Sequence, residues 1–226
     1  MISFADRDDA GRHLAEALRD YRDKAPVVLA LPRGGVPVAY PVALALDAPL
    51  DVLVVRKLGL PYQPELAFGA IGEAPPGGDV IRVLNDAVLR RTTMTDDDIA
   101  AVEDEQRREL QRRIDLYRGG RPGVDITGRT VLIVDDGFAT GATARVAALV
   151  ARARGAATVV LAAPIGAPDT VAALREVADD VVCLGMPRNF MAVGQGYANF
   201  GQTPDAAVCA LLEAAHRHRS GPETGQ

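Results

Sequence analysis

The sequence predicts an α/β fold: a mostly parallel, twisted sheet with flanking helices. Three observations carry this expectation. Short apolar runs alternate with helix-like segments at 26–55 and again at 129–185, and β-α-β order joins parallel strands. The runs are apolar throughout, as in strands covered on both faces. The 226 residues are 48% hydrophobic but only 4% aromatic, with no Trp, so the core is built from Ala, Val, Leu and Ile.

The elements follow in order. Residues 8–22 place Leu14, Ala15, Leu18 and Tyr21 at helical spacing. "PVVLAL" (26–31) reads as a buried strand. "RGGVPVAYPVALALD" reads as a glycine turn into a helix, with Pro37 in its first turn and Pro41 tolerated or kinking it. "PLDVLVV" (49–55) is the next strand. The stretch 56–85 scatters Gly and Pro and reads as a long loop with a hairpin. Residues 95–117 form a helix: Thr95 caps it, and Asp96, Asp97 and Asp98 suit the positive end of its dipole. Its apolar stripe is Ile99, Val102, Leu110, Ile114 and Tyr117, and its charges read as a solvated face. "RTVLIVDD", "ATVVLAAPI" and "DVVCLG" are further strands, with helices at 141–155, 169–178 and 203–219. The organisation is one domain over 1–218, in which 59–125 is a lid, hairpin and helical insertion and 186–203 a hood. A disordered tail is expected at 219–226.

Net charge is −5 and the pI about 5.3, the opposite balance to a basic nucleic-acid-binding domain. Cys183 and Cys209 lack metal-ligand spacing and read as two buried thiols in a reducing compartment. The first residues carry early charges without an apolar signal region, and no apolar run approaches the roughly 20 residues of a membrane span. A cytoplasmic location is expected.

The chemistry centres on "VLIVDDGFATGATA" (131–144). Asp135 and Asp136 lie at the carboxyl end of a strand, where ligands bind in open parallel sheets. Gly137 to Thr143 then turns into a helix, whose N-terminus suits a phosphate. Neither the GK[ST] element of a Walker A loop nor G-x-G-x-x-G is present there. A carboxylate pair would repel a naked polyphosphate, but it would accept bonds from two neighbouring hydroxyls and help to hold Mg²⁺. A ribose 5-phosphate satisfies both halves. At average residue usage, D-D-x-x-x-T-G-x-T arises by chance in about one chain of this length in ten thousand.

The stretch resembles the 5-phosphoribosyl-1-pyrophosphate (PRPP) motif of type I phosphoribosyltransferases. The resemblance implies that Asp135 and Asp136 contact the ribose hydroxyls and approach Mg²⁺ indirectly, through those hydroxyls or water. It gives the 5′-phosphate to Ala139, Thr140, Gly141, Ala142 and Thr143. "LPRGGVP" (31–37) resembles the pyrophosphate loop of the same family, with Arg33 forking onto phosphate and Gly34 and Gly35 allowing unusual backbone angles and exposing N–H groups. Arg56 and Lys57, read as a strand end, would add two cations facing the same crevice. Asp135, Asp136 and Arg33 are then the catalytic candidates: displacement at C1 passes through an oxocarbenium-like state beside a departing polyanion. A lid over 59–82 is expected to exclude water, with Gly59, Gly69, Gly72, Gly77 and Gly78 as hinges.

In "MPRNFMAVGQGYANFGQT" (186–203), Phe190, Tyr197 and Phe200 are candidates to stack on a flat acceptor. The stretch loosely resembles its counterpart in 6-oxopurine enzymes. It departs from them at Asn189, where they carry Lys, and at Ala139, where they carry an acid. As a whole, from about residue 3 to 210, the chain resembles a bacterial group of phosphoribosyltransferases of uncharacterised acceptor, some fused to a hydrolase domain. The quoted stretches carry this, with "LDVLVVRKLG" and "PELAFGAIGE". The expected function is Mg²⁺-dependent transfer from PRPP to an unidentified acceptor, a nitrogenous base among the candidates, with release of pyrophosphate. Two alternatives stay open: a PRPP-binding regulator without turnover, and an enzyme acting on another ribose 5-phosphate ester. The expected partners are small molecules, not nucleic acid or a membrane, with a homodimer by resemblance.

Overall fold

The computed structural model describes residues 3–74 and 79–220. Helix α1 (Arg7–Ala17) starts at Asp6, whose side chain accepts from the Asp9 N–H. It is shorter than the periodicity predicts: the chain tightens into a 3-10 turn over Arg19–Lys24. Strand β1 (Val27–Ala30) leads into α2 (Gly35–Leu46), which keeps Pro41 within it. α1 crosses α2 closely because Gly11 lies against Pro41 and the Val38 carbonyl, where a Cβ would collide.

Strand β2 (Leu50–Val52) is shorter than expected. The chain leaves the main sheet there and starts a second one. β3 (Val55–Leu60), β4 (Gln63–Gly72) and β5 (Ile81–Leu84) form an antiparallel three-stranded sheet where the sequence reads as mostly loop. Extra residues on β4 shift its register against β3 on either side of Gly59: Phe68 falls between the partners of Leu58 and Gly59, and residues 64–66 between those of Gly59 and Leu60. Gly69 and Gly72 are packing positions, not free hinges. A Cβ on Gly69 would stand 2.7 Å from the Val83 carbonyl, and one on Gly72 2.5 Å from Val150. Gly77 and Gly78 lie outside the described residues.

The short α3 (Asp86–Leu89) precedes α4 (Asp96–Arg118), which opens with a full capping box between Thr95 and Asp98. Then come β6 (Thr130–Val134), α5 (Ala142–Ala153), β7 (Thr158–Ile165), α6 (Pro168–Leu174), β8 (Asp180–Gly185) and α7 (Asp205–Ser220). The main sheet is parallel throughout, in the order β2-β1-β6-β7-β8. Alternate residues fill two cores: Val28, Ala30, Leu132 and Val134 face α1, α2 and α7, while Val27, Leu29, Val131 and Ile133 face α5 and α6. Arg219 and Ser220 belong to α7, past the expected onset of the tail, and 221–226 lie outside the described residues.

The charges of α4 are not all solvated. Arg118, at its end, is buried. Its Nε donates to Asp51 at 2.9 Å, one terminal nitrogen to the Val52 carbonyl at 3.1 Å, and the other to Glu73. One guanidinium thereby ties both sheets to α4, beside a second buried cation, Arg154. Truncating one partner of such a pair strands the other charges. Arg118→Ala is expected to lower stability by about 3–5 kcal/mol, read from the midpoint of urea unfolding.

Candidate active site

β1 and β6 are neighbours, so the turns that follow them meet. Leu31 N–H donates to the Val134 carbonyl at 2.9 Å, which carries the pairing one step past β1. The turn at Arg33 then begins α2. Its Pro32–Arg33 peptide is cis. Gly34 has an ordinary helical conformation (φ −61°, ψ −33°), and the Gly35 N–H is spent on the Leu31 carbonyl at 3.0 Å. The expected unusual backbone angle is therefore absent at Gly34, and the expected free N–H is absent at Gly35. The reason for these glycines is proximity. A Cβ on Gly34 would strike the Asp136 carboxylate, and one on Gly35 would stand 3.1 Å from Asp135 Cα. The glycine pair is the wall against which the carboxylate pair rests.

Both carboxylates are half-buried. Asp135 Oδ1 accepts from the Asp136 N–H at 2.9 Å. Burial pushes the Asp135 carboxyl well above the usual range, and the Asp136 charge adds to this. Burial also raises Asp136, against the pull of Arg7, whose Nε donates to Asp136 Oδ2 at 2.8 Å. Nothing in the sequence marks Arg7: a lone arginine 129 residues from its partner carries no local signal.

The loop after the acid pair is anchored before it is free. The buried Phe138 donates its N–H to the Ile165 carbonyl and accepts from the Ala167 N–H, both at 2.9 Å. Gly137 packs against Val193, where a Cβ would lie 2.5 Å away. Gly141, at φ +68°, caps α5 in the left-handed region that glycine favours. Beyond these anchors Ala139, Thr140 and Thr143 are exposed, Ala142 is half-buried, and the helix presents its first-turn N–H groups. Thr170 on α6 steadies the turn by donating to the Ala139 carbonyl at 2.7 Å.

The expected cations are distributed differently. Arg33 is exposed at the turn: its carbonyl accepts from the Val36 N–H at 3.2 Å, and its guanidinium makes no hydrogen bond or ion pair among the described residues. Arg56 and Lys57 are not at the end of a core strand. They lie within β3, where adjacent residues leave opposite faces. Arg56 turns to α4 and donates to Gln106 at 2.9 and 2.6 Å. Burial and the Arg113 guanidinium lower its pKa. Lys57 is exposed on the opposite face. The two therefore do not face one crevice together.

The hood aromatics are packed against each other and the N-terminal segment. Tyr197 is buried between Phe4 and Phe200, at ring-centroid distances of 5.9 and 5.0 Å, and its hydroxyl donates to the Asp136 main-chain carbonyl at 2.6 Å. Phe190 is half-buried beside Phe4 and Tyr197. Phe200 keeps an exposed edge beneath the Arg7 guanidinium. Next to them, beyond the ends of β7 and β8, is a cavity of about 220 Å³ lined by Phe4, Ile165, Leu184, Met186, Pro187 and Gln195. Cys183 and Cys209 are free thiols, half-buried rather than buried.

An acid pair between a phosphate-sized helix N-terminus and a glycine turn is the arrangement that the sequence motif leads one to expect. No family model matches the chain. Proteins from two strains of Mycobacterium tuberculosis, each provisionally named a phosphoribosyl transferase, are 60% identical to it over 217 residues, 96% of the chain. The chain belongs to the phosphoribosyltransferase family. It spans about half the length, 48%, of these curated relatives. The crystal structure of TT1426 from Thermus thermophilus is 43% identical and superposes with a TM-score of 0.83, covering 93% of this chain and 98% of that one. The five-stranded parallel sheet and its flanking helices are the α/β architecture that the sequence predicts.

Within the family's fold, the acid pair suits an ion shared with a ligand. Among the described residues, no group of three or more His, Cys, Asp or Glu could hold a metal by itself. Two carboxylates fit a hydrated Mg²⁺, which takes one or two protein carboxylates and completes its shell with water and substrate oxygens.

The geometry has two consequences for stability. Asp135 resists ionisation when folded, so the unfolded chain loses its proton first as pH rises above about 4, and stability falls from there toward the raised value. Asp135→Asn keeps the acceptor for the Asp136 N–H and removes this penalty. It is expected to melt at least about 2 °C above the wild type at pH 8, with the difference vanishing near pH 4. Gly34→Ala suits the helical backbone, so its effect reads the clash with Asp136 alone. A loss of about 1–3 kcal/mol in urea unfolding is expected.

Proposed function

We propose that the protein transfers the 5-phosphoribosyl group of PRPP to a small acceptor and releases pyrophosphate. The observation that carries this reading is the contact of the two turns. It sets Asp135 and Asp136 between the α5 N-terminus and the Arg33 turn. A ribose laid along the pair would reach its 5′-phosphate into Ala139–Thr143 and its C1 toward Arg33.

The residues divide the work by charge. The loop N–H groups and the Thr140 and Thr143 hydroxyls bind the phosphate. The carboxylates accept the ribose hydroxyls and stabilise the positive ring as the bond from C1 to the pyrophosphate oxygen breaks. Arg33 receives the leaving group, with Lys57 the freer of the two β3 cations. A bound Mg²⁺ would offset the charge of the pyrophosphate oxygens. The electron pair leaves with pyrophosphate, and an acceptor nitrogen bonds to C1 and sheds its proton. The cavity beside the hood is lined mostly by apolar groups, with Gln195 as its polar side chain, and suits a flat acceptor of low charge. A second reading, binding without turnover, is favoured by Ala139, which leaves the loop without the acid that would take that proton.

Calorimetric titration of PRPP, with and without Mg²⁺ and against ribose 5-phosphate, tests the proposal. Tighter, Mg²⁺-dependent binding of PRPP is expected, and no binding of either ligand would refute it. Arg33→Ala should weaken PRPP and pyrophosphate about tenfold or more while sparing ribose 5-phosphate. Equal loss for all three would remove Arg33 from the leaving-group side. Pyrophosphate release in an acceptor screen separates the enzyme from the binder.

A further inference from the structure

Helix α1 delivers Arg7 into the crevice of the acid pair. Its Nε donates to Asp136 Oδ2 at 2.8 Å, and a terminal nitrogen donates to the Gly201 carbonyl at 2.7 Å. The guanidinium lies over the Phe200 ring, 4.0 Å from its centroid. Phe200 stacks on Tyr197, and the Tyr197 hydroxyl returns to the Asp136 main chain at 2.6 Å. The contacts close a circuit through three segments that are distant in sequence. Both charged side chains are largely buried in it, at 13% and 15% exposure.

The same Asp136 oxygen leans on Gly34. It is thus enclosed by the glycine wall on one side and Arg7 on another. A hydroxyl that approaches it meets a guanidinium already in place. We infer that Arg7 is an internal occupant of the seat a ribose hydroxyl takes on Asp136, so that a ligand bringing hydroxyls to the acid pair must displace it whereas a bare phosphate need not. This rests on the donor-site reading above.

The selectivity comes from unequal bonds. A hydroxyl and a guanidinium both make charge-assisted bonds to an ionised carboxylate, but only the guanidinium adds an opposite charge in a poorly exposed pair, so one hydroxyl exchanged for Arg7 is a net loss. Two hydroxyls shared between Asp135 and Asp136, on a ligand already held by its phosphate, reverse the balance. Phosphate alone fills the loop at 139–143 and leaves Arg7 where it is. Displaced from Asp136, Arg7 also leaves Phe200, so filling the donor seat uncovers an aromatic face in the hood.

Calorimetry of ribose 5-phosphate and of inorganic phosphate, on the wild type, Arg7→Gln and Arg7→Lys, tests this. The affinity ratio of ribose 5-phosphate to phosphate should rise about fivefold or more in Arg7→Gln. It should rise less in Arg7→Lys, which keeps the charge and loses the fork. An unchanged or lower ratio overturns the inference and makes Arg7 a strut. Hydrogen exchange on the wild type is a second readout, independent of how the variants fold. Ribose 5-phosphate should speed exchange at Ala198 and Asn199, whose N–H groups donate to the Phe4 and Ala5 carbonyls just before Arg7, and phosphate should not. Equal exchange with both ligands also overturns it. Failure of the wild type to bind either ligand overturns the donor-site reading itself.

Discussion

Adjacent strands stand about 4.8 Å apart, so the turns that leave β1 and β6 must share a narrow space. One of them carries two carboxylates. The other therefore has nothing beyond Cα at its two closest positions, Gly34 and Gly35. This contact determines the rest of the site. It sets the acid pair in a half-buried crevice and raises both carboxyls. It also brings the N-termini of α2 and α5 to the same end of the sheet. A binding site for a polyanionic, hydroxyl-rich ligand then needs little beyond side chains on the two turns.

The burial that makes the pair useful also makes it unstable alone. Like charges on consecutive residues are tolerated because one has a cation, Arg7, and the other resists ionisation. The protein solves a similar problem elsewhere in the opposite way. Asp51, Glu73, Arg118 and Arg154 form a balanced buried group between the two sheets. There the four formal charges sum to zero, and Arg118 ties the small sheet to the main one through Glu73 and Asp51, while burial lowers the pKa of Arg154, 4.0 Å from Glu73. At the acid pair the neutralisation is partial: Arg7 bonds Asp136, and Asp135 resists ionisation instead.

The local parts of this design were legible in the sequence. The core strands, the Thr95 N-cap of α4 and the loop at 135–143 are encoded by neighbours a few residues apart. What was not legible depends on pairs distant in the chain. The antiparallel sheet was hidden because Gly59, Gly69 and Gly72 read as loop residues, whereas Gly69 and Gly72 are small for packing reasons: Gly72, for one, meets Val150 on α5. The facing of Arg56 and Lys57 was hidden because "VVRKLG" reads as one strand end, while the chain passes there from one sheet to another. Arg7, Tyr197 and Thr170 act on the site across long separations, and no spacing rule reaches them. The motif around the acid pair was visible, but not the reason for the glycines opposite it.

The bulge on β4, opposite Gly59, has a consequence for how the small sheet can vary. Pairing with β4 runs without a break from Val55 to Leu58, and the shifts fall on either side of Gly59, toward the hairpin tip. In a strand, a slip by one residue exchanges the two faces. Such a slip at Val55 would turn Lys57 toward α4 and Arg56 away from it. The bulge takes up misfit before it reaches that point. Insertions and deletions near Tyr62 are therefore absorbed at Gly59, and the tip is free to diverge in length and character while the inner half keeps its phase. The hairpin thus works as a ratchet with one loose tooth, which lets evolution retune the end of the sheet without reassigning the charges at its base.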